Sequence, residues 1–385
     1  MTPGARISAA IECLDQIFSG MPAEKALTGW ARRSRFAGSK DRAAVRDHVF
    51  DALRSRDSFA ADGGELTGRS VMIGLVRLQG LAIEELFNGV GHAPEPLSDE
   101  EHSIKSHDWR WDMPDWCVEK LKASHPNSAM DVAKALKARA PVDLRVNVRK
   151  ISLPAAQAAL RVDAIETEKA AVSDSCLRIT ENPRKLKQSK AYLDGLVELQ
   201  DVGSQALVKA LPLKPGDRIL DFCAGGGGKS LAMLAAIDAV CFAHDANPTR
   251  MKDIPLRAER AGVSIQQLST AEMSQHGPYD LVLCDAPCSG SGSWRRSPDA
   301  KWRLGKDQFD NLLSLQGEIL WEAAHRVEAG GYLCYATCSL FAEENENQVN
   351  EFLKRNTNFT MISQHSWTPL DSCDGFYVAI MQLKG

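Results

Sequence analysis

The spacing of apolar and polar positions divides the chain into three parts. Up to residue 105, apolar residues recur every three or four positions, which predicts an all-helical domain over residues 1–105. Residues 142–148 alternate between apolar and polar side chains, as a half-buried strand does, and weaker alternation follows at 176–179 and 196–199. We therefore expect a small α+β module over residues 106–199 and a third domain over residues 200–385.

The third part alternates strands, turns and helices. Apolar strands are predicted at 219–223, 240–244, 264–268, 281–284 and 332–336, with helical stretches between them. This alternation is typical of an α/β domain in which helices cover both faces of a parallel sheet. Near the end of the chain, strands at 359–362 and 375–381 follow each other without a helix, so an antiparallel hairpin is expected there.

Composition narrows the class of protein. The chain has 385 residues, of which 44% are hydrophobic and 25% are charged, as in a soluble protein of several domains. No apolar run has the length of a membrane span, and the start of the chain lacks the apolar core of a signal peptide. We expect a cytoplasmic protein with no membrane partner. The ten cysteines include no C-x-x-C pair and are expected to be reduced thiols.

Charge gives no general support for nucleic-acid binding, because the net charge is -4. Any such binding must come from local basic clusters, and the default interpretation of each cluster alone is a solvated face. The three clusters are Arg32, Arg33, Arg35, Lys40 and Arg42; Arg184, Lys185, Lys187 and Lys190; and Arg295, Arg296, Lys301 and Arg303. Only the third also contains tryptophans, Trp294 and Trp302, and such a mixture suits phosphate contact and base stacking. We therefore predict RNA contacts for Arg295, Arg296, Lys301 and Trp302.

A glycine-rich loop at residues 221–230 follows a predicted strand and opens a helix. Its four consecutive glycines allow backbone amides to approach a ligand, and a helix start favours anionic groups. The P-loop pattern fails because Cys223 replaces its first glycine, and the dinucleotide pattern fails at Ser230. Asp245, at the end of the next strand, is placed either to accept hydrogen bonds from a ribose or to cap the following helix. Together these features favour a nucleoside ligand without a polyphosphate, such as S-adenosylmethionine.

Two cysteines, Cys288 and Cys338, lie just beyond the ends of predicted strands, and Asp285 lies close to the first of them. Open α/β sheets carry their chemistry at that edge, and a thiolate is a strong nucleophile once its pKa is lowered. No metal site is expected, because an extended strand separates the cysteines of each strand too widely to chelate one ion. The remaining strand cysteines, Cys241, Cys284 and Cys334, are interpreted as core residues.

These residues resemble a known family. Residues 285–290, the Thr337-Cys338-Ser339 segment and the loop at 223–230 are similar to the paired-cysteine motifs and cofactor loop of the RNA cytosine-5 methyltransferases, the RsmB (Fmu/Sun) and NOP2/Sun-like family. The resemblance runs from about residue 142 to the end, with further matches at 200–205, 295–302, Gln316 and 343–346. The helical N-terminal part resembles the NusB-like domain of bacterial RsmB members.

The chain departs from the family pattern in two places. Gly225 and Gly226 replace an Ala-Pro pair in the cofactor loop, with Ser230 in place of threonine. The acidic residue expected after the third strand is missing, and Thr270 or Glu272 takes its place.

The resemblance implies a class I (Rossmann-like) methyltransferase with a mostly parallel seven-stranded sheet that uses S-adenosylmethionine. It implies that Cys338 attacks carbon 6 of the cytosine, that Cys288 assists release, and that Asp285 binds the base near N3 and donates a proton. Lys229 would orient the site. The cofactor-binding positions are Asp221, Cys223, Ala224, Gly225, Gly226, Gly227, Gly228, Lys229, Asp245, Arg250, Thr270 and Asp285.

The implied partner is RNA with an unstacked cytosine, with small-subunit rRNA expected and tRNA left open. The module at residues 106–199 is expected to bind RNA or to link its neighbouring domains. The protein is expected to be a monomer. Three rivals remain: a DNA cytosine methyltransferase, which would use Cys288 as the nucleophile and have no use for Cys338; a non-catalytic RNA-binding ribosome-assembly factor; and a thiol-redox protein. The last of these leaves the glycine loop and Asp245 unexplained.

Overall fold

The computed structural model describes residues 1–103 and 110–385. They form two compact units, one built from Met1–Arg139 with Trp294–Gly305 and the other from Ala140–Ser293 with Lys306–Gly385. The predicted boundary between residues 105 and 106 lies outside the described residues, and the boundary between 199 and 200 remains a prediction. In the described part of the chain, no helix is both long enough and apolar enough to cross a membrane.

The first unit is helical. Its amphipathic helices bury a core that includes Leu14, Trp30, Val45 and Leu53. Helices α4 and α5 pack backbone against backbone, because a Cβ atom on Gly74 would lie 2.1 Å from the carbonyl oxygen of Phe59. The helices are α1 (Pro3–Phe18), α2 (Ala23–Arg33), α3 (Ser39–Arg54), α4 (Arg56–Gly63), α5 (Gly68–Leu78), α6 (Ile83–Leu86), α7 (Asp99–Ser103), α8 (Asp115–Ser124) and α9 (Ala129–Lys137).

The second unit begins with a small α+β module. It contains β1 (Val142–Val146), α10 (Leu153–Val162), β2 (Thr167–Lys169), β3 (Cys176–Ile179), α11 (Lys190–Leu193) and β4 (Val197–Leu199). The strands lie in the order β2-β3-β1-β4, and all neighbours are antiparallel. Their alternation places Leu144, Val146 and Leu177 in a core with Leu160 of α10, as the sequence pattern predicts.

The rest of the second unit is built around a seven-stranded sheet in the order β10-β11-β9-β8-β5-β6-β7. Strands β5 to β9 run parallel, and β11 and β10 close one edge as an antiparallel hairpin. The elements are α12 (Val202–Ala210), β5 (Arg218–Asp221), α13 (Gly228–Ala236), β6 (Val240–Ala243), α14 (Ile254–Ala261), β7 (Ile265–Gln267), α15 (Thr270–His276), β8 (Tyr279–Asp285), α16 (Ala300–Arg303, which belongs to the helical unit), α17 (Lys306–Ala324), β9 (Val327–Thr337), α18 (Glu346–Arg355), β10 (Phe359–Trp367) and β11 (Phe376–Leu383).

The predicted α/β class and the terminal hairpin are confirmed. Strand β9 starts at Val327, earlier than the predicted residue 332, because exposed residues 328–330 interrupt its apolar pattern. The register places Asp221 beside Leu283 and Asp285 beside Ala336. The carboxyl ends of β5, β8 and β9 therefore meet at one edge, which is where the predicted chemistry lies.

Candidate active site

The two predicted cysteines come together at the carboxyl ends of β8 and β9. Their sulphur atoms lie 3.5 Å apart, within hydrogen-bonding distance for thiols. Both side chains are half-buried, unlike Cys284 and Cys334, which are fully buried in the strands behind them. The pair is brought together because β8 and β9 are adjacent parallel strands that end at the same level of the sheet.

The surroundings make the two thiols unequal. The thiol of Cys288 donates a hydrogen bond that lowers the pKa of Cys338, and the ammonium group of Lys229 lowers it further. The same hydrogen bond, together with burial and the nearby carboxylate of Glu344, raises the pKa of Cys288 well above its ordinary value. When the pair loses a proton, the thiolate therefore forms on Cys338 and Cys288 stays protonated.

An ion pair lies beside the cysteines. Lys229, in the first turn of α13, places its Nζ 2.6 Å from Oδ2 of Asp285 at the end of β8. Burial acts to lower the pKa of Lys229, but Asp285 outweighs it and holds that pKa above its ordinary value. The proton of this pair resides on Lys229, and Asp285 is the acceptor.

A buried carboxylate links the two cysteine loops. Glu344, which is 0% exposed, accepts hydrogen bonds from the backbone N–H of Ser289 (2.7 Å) and from Nε2 of Gln316 (3.0 Å). The hydroxyls of Ser289 and Ser339 donate to its other oxygen. Each serine directly follows a catalytic candidate, Cys288 or Cys338. Gln316 and residues 343–346 are part of the family resemblance in the sequence. The sequence does not indicate that Glu344 joins two loops that lie far apart in the chain.

The glycine loop has the backbone geometry that its composition predicts. Gly225 (φ +50°) and Gly227 (φ +75°) adopt left-handed conformations, which only glycine accepts without strain. A Cβ atom on Gly227 would lie 2.9 Å from Cγ1 of Ile254, whereas one on Gly228 would meet nothing within 4 Å. The carbonyl of Gly226 accepts a hydrogen bond from Arg257. The loop is therefore fixed at three positions and presents open space at Gly228.

Asp221 supplies an unused acceptor next to this loop. Its Oδ2 accepts a hydrogen bond from the hydroxyl of Ser230 at 2.6 Å, but its buried Oδ1 has no hydrogen-bond partner within the described structure. Burial raises the pKa of Asp221 to about 6. A buried carboxylate oxygen without a donor is stabilised by a cationic ligand group. The amino group of S-adenosylmethionine meets that requirement.

Asp245 fixes the loop from the end of β6. Its Oδ2 accepts a hydrogen bond from the N–H of Gly225 at 3.0 Å and lies 3.0 Å from Arg250, while Oδ1 accepts from the N–H of Asn247 at 2.9 Å. Asn247, and not Asp245, caps the short turn Pro248–Met251. A carboxylate accepts about four hydrogen bonds, so Asp245 retains capacity for a ribose hydroxyl.

The site also uses a histidine that sequence reasoning missed. His244 is buried, with Nδ1 2.8 Å from the carbonyl oxygen of Phe222 and Nε2 3.0 Å from the hydroxyl of Thr270. Thr270 is one of the two residues expected to replace the missing acid after the third strand of the sheet, and its hydroxyl is therefore hydrogen-bonded to His244. The sequence signal that could have identified His244 is its position at the end of β6, directly before Asp245.

The remaining predicted positions of the glycine loop, Cys223 and Ala224, lie between these groups, and burial raises the pKa of Cys223.

The predicted RNA contacts at 295–302 require a correction. Arg295 and Lys301 are only 5% and 2% exposed, and they lie within the helical unit. Lys301 donates to the carbonyl of Arg54 at 2.9 Å, and Nε1 of Trp302 donates to the carbonyl of Leu53 at 2.9 Å. Basic and aromatic side chains in alternation suit a packed interface as well as an RNA surface, and here burial contradicts RNA contact by Arg295 and Lys301. In this set, Arg296 is exposed.

The order of the sheet, the glycine loop after β5 and the acid after β6 define a class I S-adenosylmethionine-dependent methyltransferase. Two family models match the sequence. One, described as 16S rRNA methyltransferase RsmB/F, covers residues 208–381, and the other, described as the RsmF/B-like ferredoxin-like domain, covers residues 113–184. The chain belongs to the RsmB/F family, and it is an RNA (cytosine-5)-methyltransferase.

Individual relatives support this assignment. The ribosomal RNA small subunit methyltransferase B of Vibrio cholerae is 32% identical over 290 residues, which is 72% of this chain and 67% of that protein. The protein of the same name from Erwinia tasmaniensis is 31% identical over 321 residues, 80% of this chain and 75% of that protein.

Solved structures share the fold. The crystal structure of PH0851 matches with a TM-score of 0.78 over 99% of both chains, at 22% identity. That of NSun6 from Pyrococcus horikoshii with SFG matches with a TM-score of 0.62, over 71% of this chain and 98% of that one, at 17% identity.

Proposed function

We propose that this enzyme forms 5-methylcytosine in small-subunit rRNA, with Cys338 as the nucleophile and Cys288 as the residue that completes release. The observation that carries the assignment is the 3.5 Å separation of the two sulphur atoms, with the lowered pKa on Cys338. The rRNA target is supported by relatives that carry the name ribosomal RNA small subunit methyltransferase B. A cytoplasmic monomer is part of the same proposal.

The first step is attack by the Cys338 thiolate. Its sulphur bonds to carbon 6 of the cytosine, the C5–C6 double bond opens, and the electrons move through C4 to N3. N3 takes a proton from the Lys229–Asp285 pair. The sequence-based prediction gave that proton to Asp285, whereas the ion pair favours Lys229 as its carrier.

The ion pair between Lys229 and Asp285 also links the start of α13, directly after the glycine loop, to the end of β8. S-adenosylmethionine, when bound, supplies the methyl group that carbon 5 takes up. Asp221, Asp245 and the amides of the glycine loop are the groups that would hold it. The unpartnered oxygen of Asp221 and the open space at Gly228 fit such a ligand.

Release follows from the asymmetry of the two thiols. Once Cys338 is bonded to carbon, it no longer raises the pKa of Cys288. Cys288 then loses its proton to solvent and, as a thiolate, removes the proton from carbon 5. The C5–C6 double bond re-forms, the S–C6 bond breaks and Cys338 leaves as a thiolate, while N3 returns its proton to the Lys229–Asp285 pair. Each cycle releases one proton.

Trapping experiments test this order of events. Cys288→Ala incubated with RNA and S-adenosylmethionine should accumulate a covalent RNA adduct through Cys338, whereas Cys338→Ala should form neither adduct nor product. Cys334→Ala, in the buried strand behind the site, is the matched control. An adduct through Cys288 in the Cys338→Ala enzyme would reverse the roles.

The substrate is tested separately. The purified enzyme should methylate a small-subunit rRNA transcript, and bisulfite sequencing should locate the modified cytosine. Methylation confined to tRNA would overturn the rRNA assignment without affecting the roles of the cysteines.

A further inference from the structure

A turn on the helical unit presents an arginine and an aromatic ring to solvent. The N–H of Ala37 donates to the carbonyl of Ser34 at 3.0 Å, so Arg35 and Phe36 occupy the two central positions of a β-turn. Ser34 and Ala37 are buried and anchor the turn, while Phe36 is 75% exposed. The ring is thus held outward by an ordered backbone.

Further cations surround this turn. Arg32 lies in the last turn of α2, Lys40 and Arg42 lie in the first turn of α3, and all three side chains are exposed. Nε of Arg42 donates to the carbonyl of Ala37 at 3.0 Å, which fixes that guanidinium against the turn. We refer to Arg32, Arg35, Phe36, Lys40 and Arg42 as the Phe36 surface.

The neighbouring acids are already paired. Asp41 binds the N-terminal amine at 3.3 Å and Arg6 at 2.9 Å, and Glu12 pairs with Arg33 at 2.6 Å. Across the described residues, no ion pair joins an acid to Arg32, Arg35 or Lys40. The Phe36 surface therefore carries uncompensated positive charge around an exposed ring.

We propose that the Phe36 surface binds single-stranded RNA, with a base stacked on Phe36 and the phosphates held by the surrounding cations. Aromatic rings within basic grooves bind single strands in this way, because every base offers a stacking face. The inference rests on the proposed function, which makes RNA the substrate. It offers a basic and aromatic RNA contact in place of the buried Arg295 and Lys301.

Binding assays on the full chain separate stacking from charge. The probes are a small-subunit rRNA transcript and a mixed-sequence single-stranded RNA of about 20 nucleotides, which is longer than the roughly 4–16 nucleotides that one OB-fold site covers. Phe36→Ala should weaken binding of both by about 5- to 100-fold, the loss expected for one stacked base, with little change in salt dependence. Arg35→Gln with Lys40→Gln should lower the slope of log Kd against log salt by about 0.7 per lost phosphate contact.

The matched control is Lys354→Gln with Arg355→Gln, which removes two exposed charges from the last turn of α18. This control should bind with wild-type affinity, and thermal unfolding should confirm that all variants fold. Unchanged RNA affinity in Phe36→Ala and in the Arg35/Lys40 variant, or an equal loss in the control, would overturn the inference. Failure to methylate the rRNA transcript, with intact binding at the Phe36 surface, would count against the proposed substrate alone.

Discussion

The sulphur atoms of Cys288 and Cys338 lie 3.5 Å apart although the two residues are separated by 50 positions in the chain. At this distance one thiol donates a hydrogen bond to the other, which lowers the pKa of Cys338 and raises that of Cys288. Lys229 further lowers the pKa of Cys338, and burial and Glu344 further raise that of Cys288, so the two thiols are chemically unequal.

Alkylation should reveal this difference. With iodoacetamide, Cys338 should react at lower pH than Cys288, because its pKa lies below the ordinary thiol value. Cys288→Ala removes the donated hydrogen bond, so the reaction midpoint of Cys338 should move to higher pH. Mass spectrometry of the two peptides across pH 6 to 10 measures both midpoints. Earlier reaction of Cys288 would contradict the assignment.

Glu344→Gln should alter Cys288 selectively. The amide keeps the shape of the carboxylate but removes the charge that helps to raise the pKa of Cys288, so Cys288 should alkylate at lower pH than in the wild type. Loss of charged hydrogen bonds should also lower the free energy of unfolding by about 2 kcal/mol. Glu346→Gln, at the start of α18, is the control and should change neither property. An unshifted Cys288 midpoint would leave Glu344 with a purely structural role.

Two adjacent glycines should respond differently to alanine. Gly227→Ala forces a side chain into a left-handed backbone against Ile254, and should cost about 1–2 kcal/mol of stability. Gly228→Ala meets open space and should retain stability, but its methyl group would enter the ligand cradle and weaken S-adenosylmethionine binding. Urea unfolding and calorimetric titration measure the two effects. Equal stability losses would contradict the observed loop geometry.

Asp221→Asn should gain stability and lose affinity for the cofactor. The pKa of Asp221 is raised to about 6, so the folded state binds a proton more tightly than the unfolded state. Stability contributed at low pH is therefore lost as the pH rises through about 4 to 6. The asparagine avoids that loss and should gain about 1–3 kcal/mol at pH 7, while binding S-adenosylmethionine more weakly. Wild-type affinity in this variant would exclude Asp221 as the partner of a cationic group.

Lys301→Met tests whether this residue belongs to the core of the helical unit. Burial lowers the pKa of Lys301 to about 7, so the unfolded state binds more protons than the folded state between pH 7 and about 10. Wild-type stability should therefore rise by about 2 kcal/mol from pH 7 to 9, relative to the methionine variant. Urea unfolding at the two pH values measures this difference. Wild-type RNA affinity in Lys301→Met is also expected, and a large loss would restore Lys301 as an RNA contact.

Periodicity and local motifs were sufficient to predict much of the molecule. The helical N-terminal region, the α/β alternation, the terminal hairpin and the position of each cysteine beyond a strand follow from local patterns. The glycine loop was predictable for the same reason, because left-handed backbone at Gly225 and Gly227 selects for glycine locally.

Other features depended on which distant segments meet. Arg295, Lys301 and Trp302 have the composition of an RNA-binding stretch, and only the burial of Arg295 and Lys301 in the helical unit distinguishes packing from binding. The exposure of Phe36 could not be inferred from its neighbours either.

The sequence by itself determined that two cysteines end two strands of a methyltransferase-like sheet, because strand patterns and loop motifs are local. Only the tertiary structure decided which cysteine has the lower pKa. That difference depends first on the hydrogen bond between the two thiols and then on Lys229 beside Cys338 and Glu344 beside Cys288. Chain folding brings these groups together, and electrostatic interactions depend on distance in space and not on separation along the chain.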